Sequence, residues 1–175
     1  MTWKLPAFSR AIFAFVLPFQ PLVANDTALA LLTRDGGTIE FGDLAPGLIE
    51  LTAGTTFPVL KDTKGGSVAA AGEALDGKGG RVIAFSHVGF LKSPAMIGQD
   101  ANLNLIANAV RWCGRSSTPK VTLHPALNGL AEALKKKGID VEIAAPEDLD
   151  SRRAPAVYCV VAQRGFEETD ITTLL

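Results

Sequence analysis

The sequence predicts an α/β domain built on an open, mostly parallel sheet with helices packed in outer layers. From Lys120 onward the segments follow the order strand, helix, strand, strand, helix, which is typical of parallel βαβ units. Upstream, Arg81–Ser86 is an almost continuous apolar run, as expected for a strand that is buried on both faces of such a sheet. Together these patterns indicate a three-layer α/β fold.

The first part of the chain predicts a helix, a strand and a hairpin. Thr27–Leu32 has the composition of a short helix, and Gly47–Leu51 has that of a first strand. Phe57–Lys61 and Ser67–Ala71 are apolar runs separated by the turn-forming residues 62–66 (DTKGG). Two such runs joined by a short glycine-containing loop predict a β-hairpin within the domain.

The second part of the chain predicts two amphipathic helices and the strands between them. Apolar residues recur at the spacing i, i+3, i+4 and i+7, which places them on one helical face. The two stripes are Leu103, Ile106, Ala107 and Val110, and Leu127, Leu130, Ala131 and Leu134. Strands are predicted at Lys120–His124, Val141–Ala144 and Val157–Ala162, and a further helix begins at Glu167. Because a doubly wound domain continues into another strand, we expect the domain to be truncated at its C-terminus.

The N-terminus predicts an export signal over residues 1–24, followed by a single α/β domain over residues 25–175. A cationic start with Lys4 and Arg10 leads into the apolar run Ala11–Leu17 and then into the small residue Ala24. These are the three parts of a secretory signal, and the run is too short to span a bilayer, which needs about 20 apolar residues. We therefore expect a secreted or periplasmic protein with no transmembrane segment after removal of the leader.

Composition and motifs exclude several classes of function. The chain has 17 basic and 18 acidic residues, so removal of Lys4 and Arg10 with the leader gives 15 − 18 = −3, which disfavours nucleic-acid binding. With two histidines, no zinc-peptidase motif, no catalytic-triad motif and no dinucleotide loop, the sequence predicts no metal, no cofactor and no catalytic residue. Cys113 and Cys159 either pair in an oxidising compartment or, more simply, are two separate buried thiols.

The candidate ligand-binding residues follow predicted strands. Ser86 and His87 end one strand, His124 ends the next, and Gln163 and Arg164 follow the third. Ligands of open α/β sheets bind beyond the carboxyl ends of the strands, so these side chains could meet around a small polar or anionic ligand. The simpler alternative is that His124 caps its helix and His87 bonds a loop backbone.

Six short blocks occur in an order that resembles one protein family. The blocks are Phe57–Leu60, Val68–Ala71, Gly77–Leu91, Asn108–Trp112, His124–Leu127 and Val157–Cys159. The family comprises the transient-receptor-potential channel-associated factors and the enhancin-like, mucin-targeting metallopeptidases. The resemblance covers about residues 27–175 and implies a flavodoxin-like domain, similar to class I glutamine amidotransferases, that has lost the catalytic cysteine.

The resemblance implies binding instead of catalysis. The zinc-peptidase domain of the family lies outside this sequence, and Val88 stands where the family has an acidic residue. We therefore expect an exported, non-catalytic module that binds a protein or glycoprotein partner, as the accessory N-terminal domain of the peptidases would. Two alternatives remain: a hydrolase or transferase of unrecognised type that uses His87 and His124, and a truncated fragment of a larger metallopeptidase.

Overall fold

The computed structural model describes residues 23–52, 55–73, 80–145, 148 and 156–161. In chain order its elements are α1 (Val23–Leu32), β1 (Thr56–Lys61), β2 (Ser67–Glu73), β3 (Arg81–Phe85), α2 (Gly89–Lys92), α3 (Pro94–Ile97), α4 (Asp100–Cys113), β4 (Lys120–Leu123), a 3₁₀ helix (Pro125–Leu127), α5 (Asn128–Lys136), β5 (Asp140–Ile143) and β6 (Val157–Cys159). The α/β class predicted from the sequence is confirmed. None of the helices in these ranges is both long and apolar enough to cross a membrane.

The described strands form two three-stranded sheets, and the expected single, mostly parallel sheet was wrong. The first sheet is antiparallel in the order β1-β2-β3, and the second is parallel in the order β5-β4-β6. Only five residues separate β1 from β2 and seven separate β2 from β3, too few for the crossover of about a dozen residues that a parallel pair needs. The predicted hairpin and the parallel pairing downstream of Lys120 are both confirmed.

One predicted strand is absent, another is less buried than expected, and the strand predicted over Val157–Ala162 ends at Cys159. Gly47–Leu51 is not a strand, although Ile49 donates one backbone hydrogen bond to the carbonyl of Ser67 at 2.8 Å. The run Arg81–Ser86 forms β3, but the expected burial on both faces was wrong. In the described residues β3 pairs with β2 alone, and Val82 is 61% exposed. An apolar run alone does not distinguish an edge strand from a central one.

Helix α4 is the central element of the core because it is buried on two faces. The predicted stripe from Leu103 to Val110 packs with β4 and α5. A second stripe, formed by Leu105, Ala109 and Trp112, packs against the first sheet, where the Trp112 and Phe57 rings meet edge to face with centroids 6.1 Å apart. This helix therefore joins the antiparallel sheet to the parallel one.

Helix α5 buries the face that its periodicity predicts. Leu130 and Leu134 are fully buried, as is Leu127 at the end of the preceding 3₁₀ helix, and Ala131 is 4% exposed. Gly138 follows the helix with φ +76°, a left-handed conformation that favours glycine at a helix end. Because α5 carries the chain back to the start of the sheet, β5 can lie parallel to β4.

Candidate functional site

The two histidines lie on neighbouring turns, and each caps the turn that follows it. Nδ1 of His87 accepts the backbone N–H of Gly89 at 2.9 Å, and Nδ1 of His124 accepts that of Ala126 at 3.1 Å. Helix α2, which follows His87, packs against the 3₁₀ helix that follows His124. A neutral imidazole that accepts at Nδ1 carries its proton on Nε2, so neither Nδ1 can accept a proton from a substrate in this arrangement.

The other predicted site residues do not complete a catalytic arrangement within the described part of the chain. The Oγ of Ser86 is buried there without a hydrogen-bond partner, while its N–H donates to the Val68 carbonyl at 2.9 Å. Gln163 and Arg164 lie outside the described residues. The described residues also hold no group of three or more His, Cys, Asp or Glu side chains suited to a metal ion. Ligand binding by the five predicted residues stays a prediction.

A cleft of about 290 Å³ lies between β3 and β6, and we call it the strand-edge cleft. One wall is Gly80–Ile83 with Phe85, the other is Ala156–Val160, and the floor includes Ile106, Ala109, Val110 and Cys113 of α4. Side chains alternate across a strand, so a wall to which consecutive residues contribute is a strand edge and not a sheet face. The cleft therefore offers backbone at its sides and apolar side chains at its base.

The pairing of β3 with β2 shows which backbone groups of β3 face the cleft. The Ser86 N–H donates to the Val68 carbonyl on the β2 side at 2.9 Å, so the backbone groups of Ile83, three positions earlier in the antiparallel pair, point away from β2. Backbone groups alternate in direction along an antiparallel strand, so those of Arg81 and Phe85 share the direction of Ile83. The outer edge of β3 thus presents backbone donors and acceptors along the cleft.

Both cysteines line the strand-edge cleft as free thiols. Burial raises the pKa of Cys113 to about 11, against smaller lowering effects of the Arg81 charge and the Ile83 backbone. Burial raises the pKa of Cys159 to about 12, and the neighbouring Cys113 adds to this. The thiolate is the nucleophilic form, so neither cysteine is prepared for nucleophilic attack at neutral pH.

A second cavity, of about 450 Å³, carries the charge that sequence reasoning missed. We call it the arginine pocket, and its lining includes Arg34, Arg81, Arg111 and Arg115. These residues lie up to 81 positions apart in the chain, and a net charge near zero gives no sign that they meet. Arg111 lies in the last turn of α4 and Arg115 lies two residues beyond its end in a left-handed conformation, so helical spacing does not predict that they share a pocket.

The fold and these cavities define the general class of the protein. The chain is a mixed α/β protein whose described cavities include the strand-edge cleft and the arginine pocket. Residues 39–174 match the family model described as "TRPM8, N-terminal domain" (TCAF_N). The chain belongs to this family, and the resemblance to the channel-associated factors is confirmed.

Two curated relatives give the extent of the similarity. TRPM8 channel-associated factor 2 of Bos taurus is 34% identical over 118 residues, which is 67% of this chain and 11% of the relative. The TRPM8 channel-associated factor homolog of Xenopus laevis is 31% identical over 107 residues, which is 61% of this chain and 11% of the relative. The matched part of this chain thus spans about a tenth of either relative. No solved structure matches the chain.

Proposed function

We propose that the chain is a protein-binding module that holds an extended, apolar segment of a partner in the strand-edge cleft. The observation that carries the proposal is the outer edge of β3, which faces the cleft above an apolar floor. An exposed strand edge hydrogen-bonds to an added strand, and pockets for alternate side chains supply selectivity. The relatives are named for their association with a channel protein, which supports a protein as the partner class.

The dimensions of the cleft fit a short segment. The five residues of β3 extend over about 17 Å at a rise of about 3.3 Å per residue, so about five residues of a partner can pair with it. Side chains that point toward Ile106, Ala109 and Val110 must be apolar, because a polar group buried there without a partner costs about 1–3 kcal/mol. The expected ligand is therefore a short peptide segment in which apolar residues alternate with polar ones.

The experiment screens a random-peptide display library against the purified chain and measures the affinity of the selected peptides. Val82 lines the cleft and is 61% exposed, so Val82→Lys places a charge in the cleft at little cost to folding. Ile143→Lys is the matched control, because Ile143 is a strand residue that is 47% exposed and is outside the cleft lining. We expect Val82→Lys to weaken peptide binding at least about tenfold, and Ile143→Lys to leave it unchanged.

The same experiment separates the alternatives. Selected peptides should slow amide hydrogen exchange at Ile83 and Phe85, whose backbone groups face the cleft. Equal affinity for both lysine variants, or a library that yields no binder, would show that the cleft is not a peptide site. A mucin-type glycoprotein that binds equally well to Val82→Lys would place a glycoprotein partner elsewhere on the surface.

We also propose that residues 1–24 direct export, which the three-part pattern at the N-terminus supports. The proposed cut after Ala24 falls two residues inside α1. Expression of the full chain with a C-terminal tag in a bacterial host should yield a periplasmic product whose mass corresponds to a start at Asn25. A cytoplasmic product that retains Met1–Ala24 would exclude export by this route. The proposed relationship to glutamine amidotransferases and to enhancin-like peptidases rests on the sequence blocks alone.

A further inference from the structure

We propose that the arginine pocket binds a phosphate monoester group. It lies beside the strand-edge cleft and shares Arg81 with it, but the inference does not depend on the peptide proposal. Guanidinium groups present planar pairs of N–H donors that match the oxygens of phosphate. Four such groups line one cavity of about 450 Å³.

Two of the arginines are held in place by contacts with carbonyl oxygens and with an aromatic ring. The guanidinium of Arg81 lies 4.8 Å from the centre of the Trp112 ring, and its Nη1 donates to the Trp112 carbonyl at 2.9 Å. Arg111 donates to the carbonyls of Ser117 and Lys137 at 3.1 and 2.6 Å. The carbonyl and ring contacts fix these side chains without neutralising their charge, and Arg81 has in addition an ion pair with Glu73. Less conformational entropy is therefore lost when a ligand binds.

Arg34 and Arg115 are brought to the pocket by the chain around them. Asn108 on α4 donates its side-chain N–H to the carbonyl of Arg34 at 2.7 Å, which anchors the segment after α1 over the end of α4. Arg115 has φ +50°, a left-handed conformation that is unusual for a residue other than glycine. From this position its Nη2 reaches Glu73 at 2.8 Å.

The balance of charge favours a dianion. Arg81 and Arg115 share one carboxylate, Glu73, and Arg34 lies 3.8 Å from the exposed Asp35. In these ion pairs three positive charges meet two negative ones, and the charge of Arg111, which is in none of these pairs, raises the excess to 4 − 2 = 2. A phosphate monoester carries a charge of about −1.5 to −2 at pH 7, whereas a carboxylate carries −1. The Oγ of Ser116, which accepts the Thr118 N–H at 3.2 Å, keeps its own proton for donation at the pocket.

The experiment is a calorimetric and NMR titration of the purified full chain with inorganic phosphate at constant ionic strength. We expect saturable binding at one site, with shifts of the Arg81 and Arg111 Nε–H signals. Arg34→Gln and Arg115→Gly should each weaken binding about tenfold, the effect of losing one charge-assisted contact. The glycine is compatible with the left-handed backbone at position 115, and Lys136→Gln, an exposed cation outside the pocket, should leave the affinity unchanged.

Further ligands identify the kind of molecule that carries the phosphate group and show which results would overturn the proposal. Tighter binding of phosphoserine than of glucose 6-phosphate supports the proposal with a phosphorylated protein segment as ligand, and the reverse supports it with a small metabolite. Acetate that binds as tightly as phosphate would overturn the proposal. A titration response that follows ionic strength without saturation would also overturn it, as would an equal loss of affinity in all three variants. Val82→Lys should bind phosphate normally, so failure of the peptide proposal and failure of this one are distinguishable.

Discussion

The contrast between Gly114 and Gly129 gives a direct test of how α4 meets the second sheet. A Cβ built on Gly114 would lie 2.5 Å from Cβ of Pro119, 3.1 Å from Cγ2 of Val157 and 3.3 Å from the Val110 carbonyl oxygen. A Cβ built on Gly129, in the first turn of α5, meets nothing within 4 Å. The same substitution to alanine should therefore change stability in opposite directions.

The expected magnitudes follow from these distances. Carbon atoms pack best at about 3.5–4.0 Å, so Gly114→Ala requires a separation of about 1 Å between α4 and the residue before β4, and Pro119 is a rigid ring. Overpacking of this kind costs about 1–3 kcal/mol, and the reduced entropy of the unfolded chain returns about 0.4–1 kcal/mol. We expect Gly114→Ala to destabilise the protein by about 1–2 kcal/mol. Gly129→Ala should stabilise the protein by about 0.5 kcal/mol, which is the lower limit of the usual gain when alanine replaces a glycine within a helix.

Urea unfolding of the three proteins measures both effects on one scale. The midpoint should fall for Gly114→Ala and rise slightly for Gly129→Ala with an unchanged slope, since the slope reports the surface exposed on unfolding. In a thermal scan the first should lower Tm by about 2–8 °C. A Gly114→Ala protein as stable as the parent would refute the close approach of α4 to the second sheet. It would also remove the basis for the positions of Cys113 and Arg115.

The remaining predictions concern the cysteines and one histidine. Burial raises the pKa values of Cys113 and Cys159 in the folded protein from 9.0 to about 11 and about 12. The stability that the protonated thiols contribute is therefore fully present below pH 9 and is lost as the pH rises through these folded-state pKa values. Each thiol should remove about 1.4 kcal/mol from the free energy of unfolding by pH 10, and a Cys113→Ala/Cys159→Ala variant in pH-dependent urea titrations should lack this loss. His124→Ala should cost about 1 kcal/mol at neutral pH by removing the cap of the 3₁₀ helix, while His124→Asn, which keeps an acceptor, should unfold at nearly the parental urea concentration. Equal stability of the two histidine variants would contradict a capping role.

The helices were predictable because their periodicity survives in any fold that buries one face. The stripe from Leu103 to Val110 and the stripe from Leu127 to Leu134 are buried as expected. The second buried stripe of α4, from Leu105 to Trp112, is equally visible in the sequence at i, i+4 and i+7. This stripe could have been predicted to be buried, because a helix with two apolar faces must pack against other elements on both sides.

The sheets were less predictable because strand patterns report local burial and not the neighbours of a strand. The run Arg81–Ser86 has the composition of a central strand, yet β3 is the last strand of the described antiparallel sheet, and Val82 is 61% exposed. The short connection before β3 contained the decisive information, since seven residues cannot form a parallel crossover. Loop length was therefore a better guide to topology than apolar composition.

The candidate sites show the same division between local and long-range information. That His87 and His124 cap the turns after their strands is a local relation, which the sequence could suggest as the simpler alternative. The arginine pocket joins α4, the segment after α1 and β3, and no local pattern connects them. Positively charged residues that are distant in sequence become a site only through the fold, so net charge could not reveal it.

Arg81 determines how the two proposed sites can be tested. Its side chain contacts Glu73 and the Trp112 carbonyl at 3.1 and 2.9 Å, and it lines both the strand-edge cleft and the arginine pocket. Replacement of Arg81 would remove an ion pair, a ring contact and the boundary between two cavities at once, so its effect on any ligand could not be assigned to one site. Val82 and Arg34 each line one cavity alone and are exposed, so substitutions there change one site while the contacts that hold Arg81 remain. Their effects should add for either ligand if the sites are independent, because changes without shared partners are additive to within about 0.5 kcal/mol.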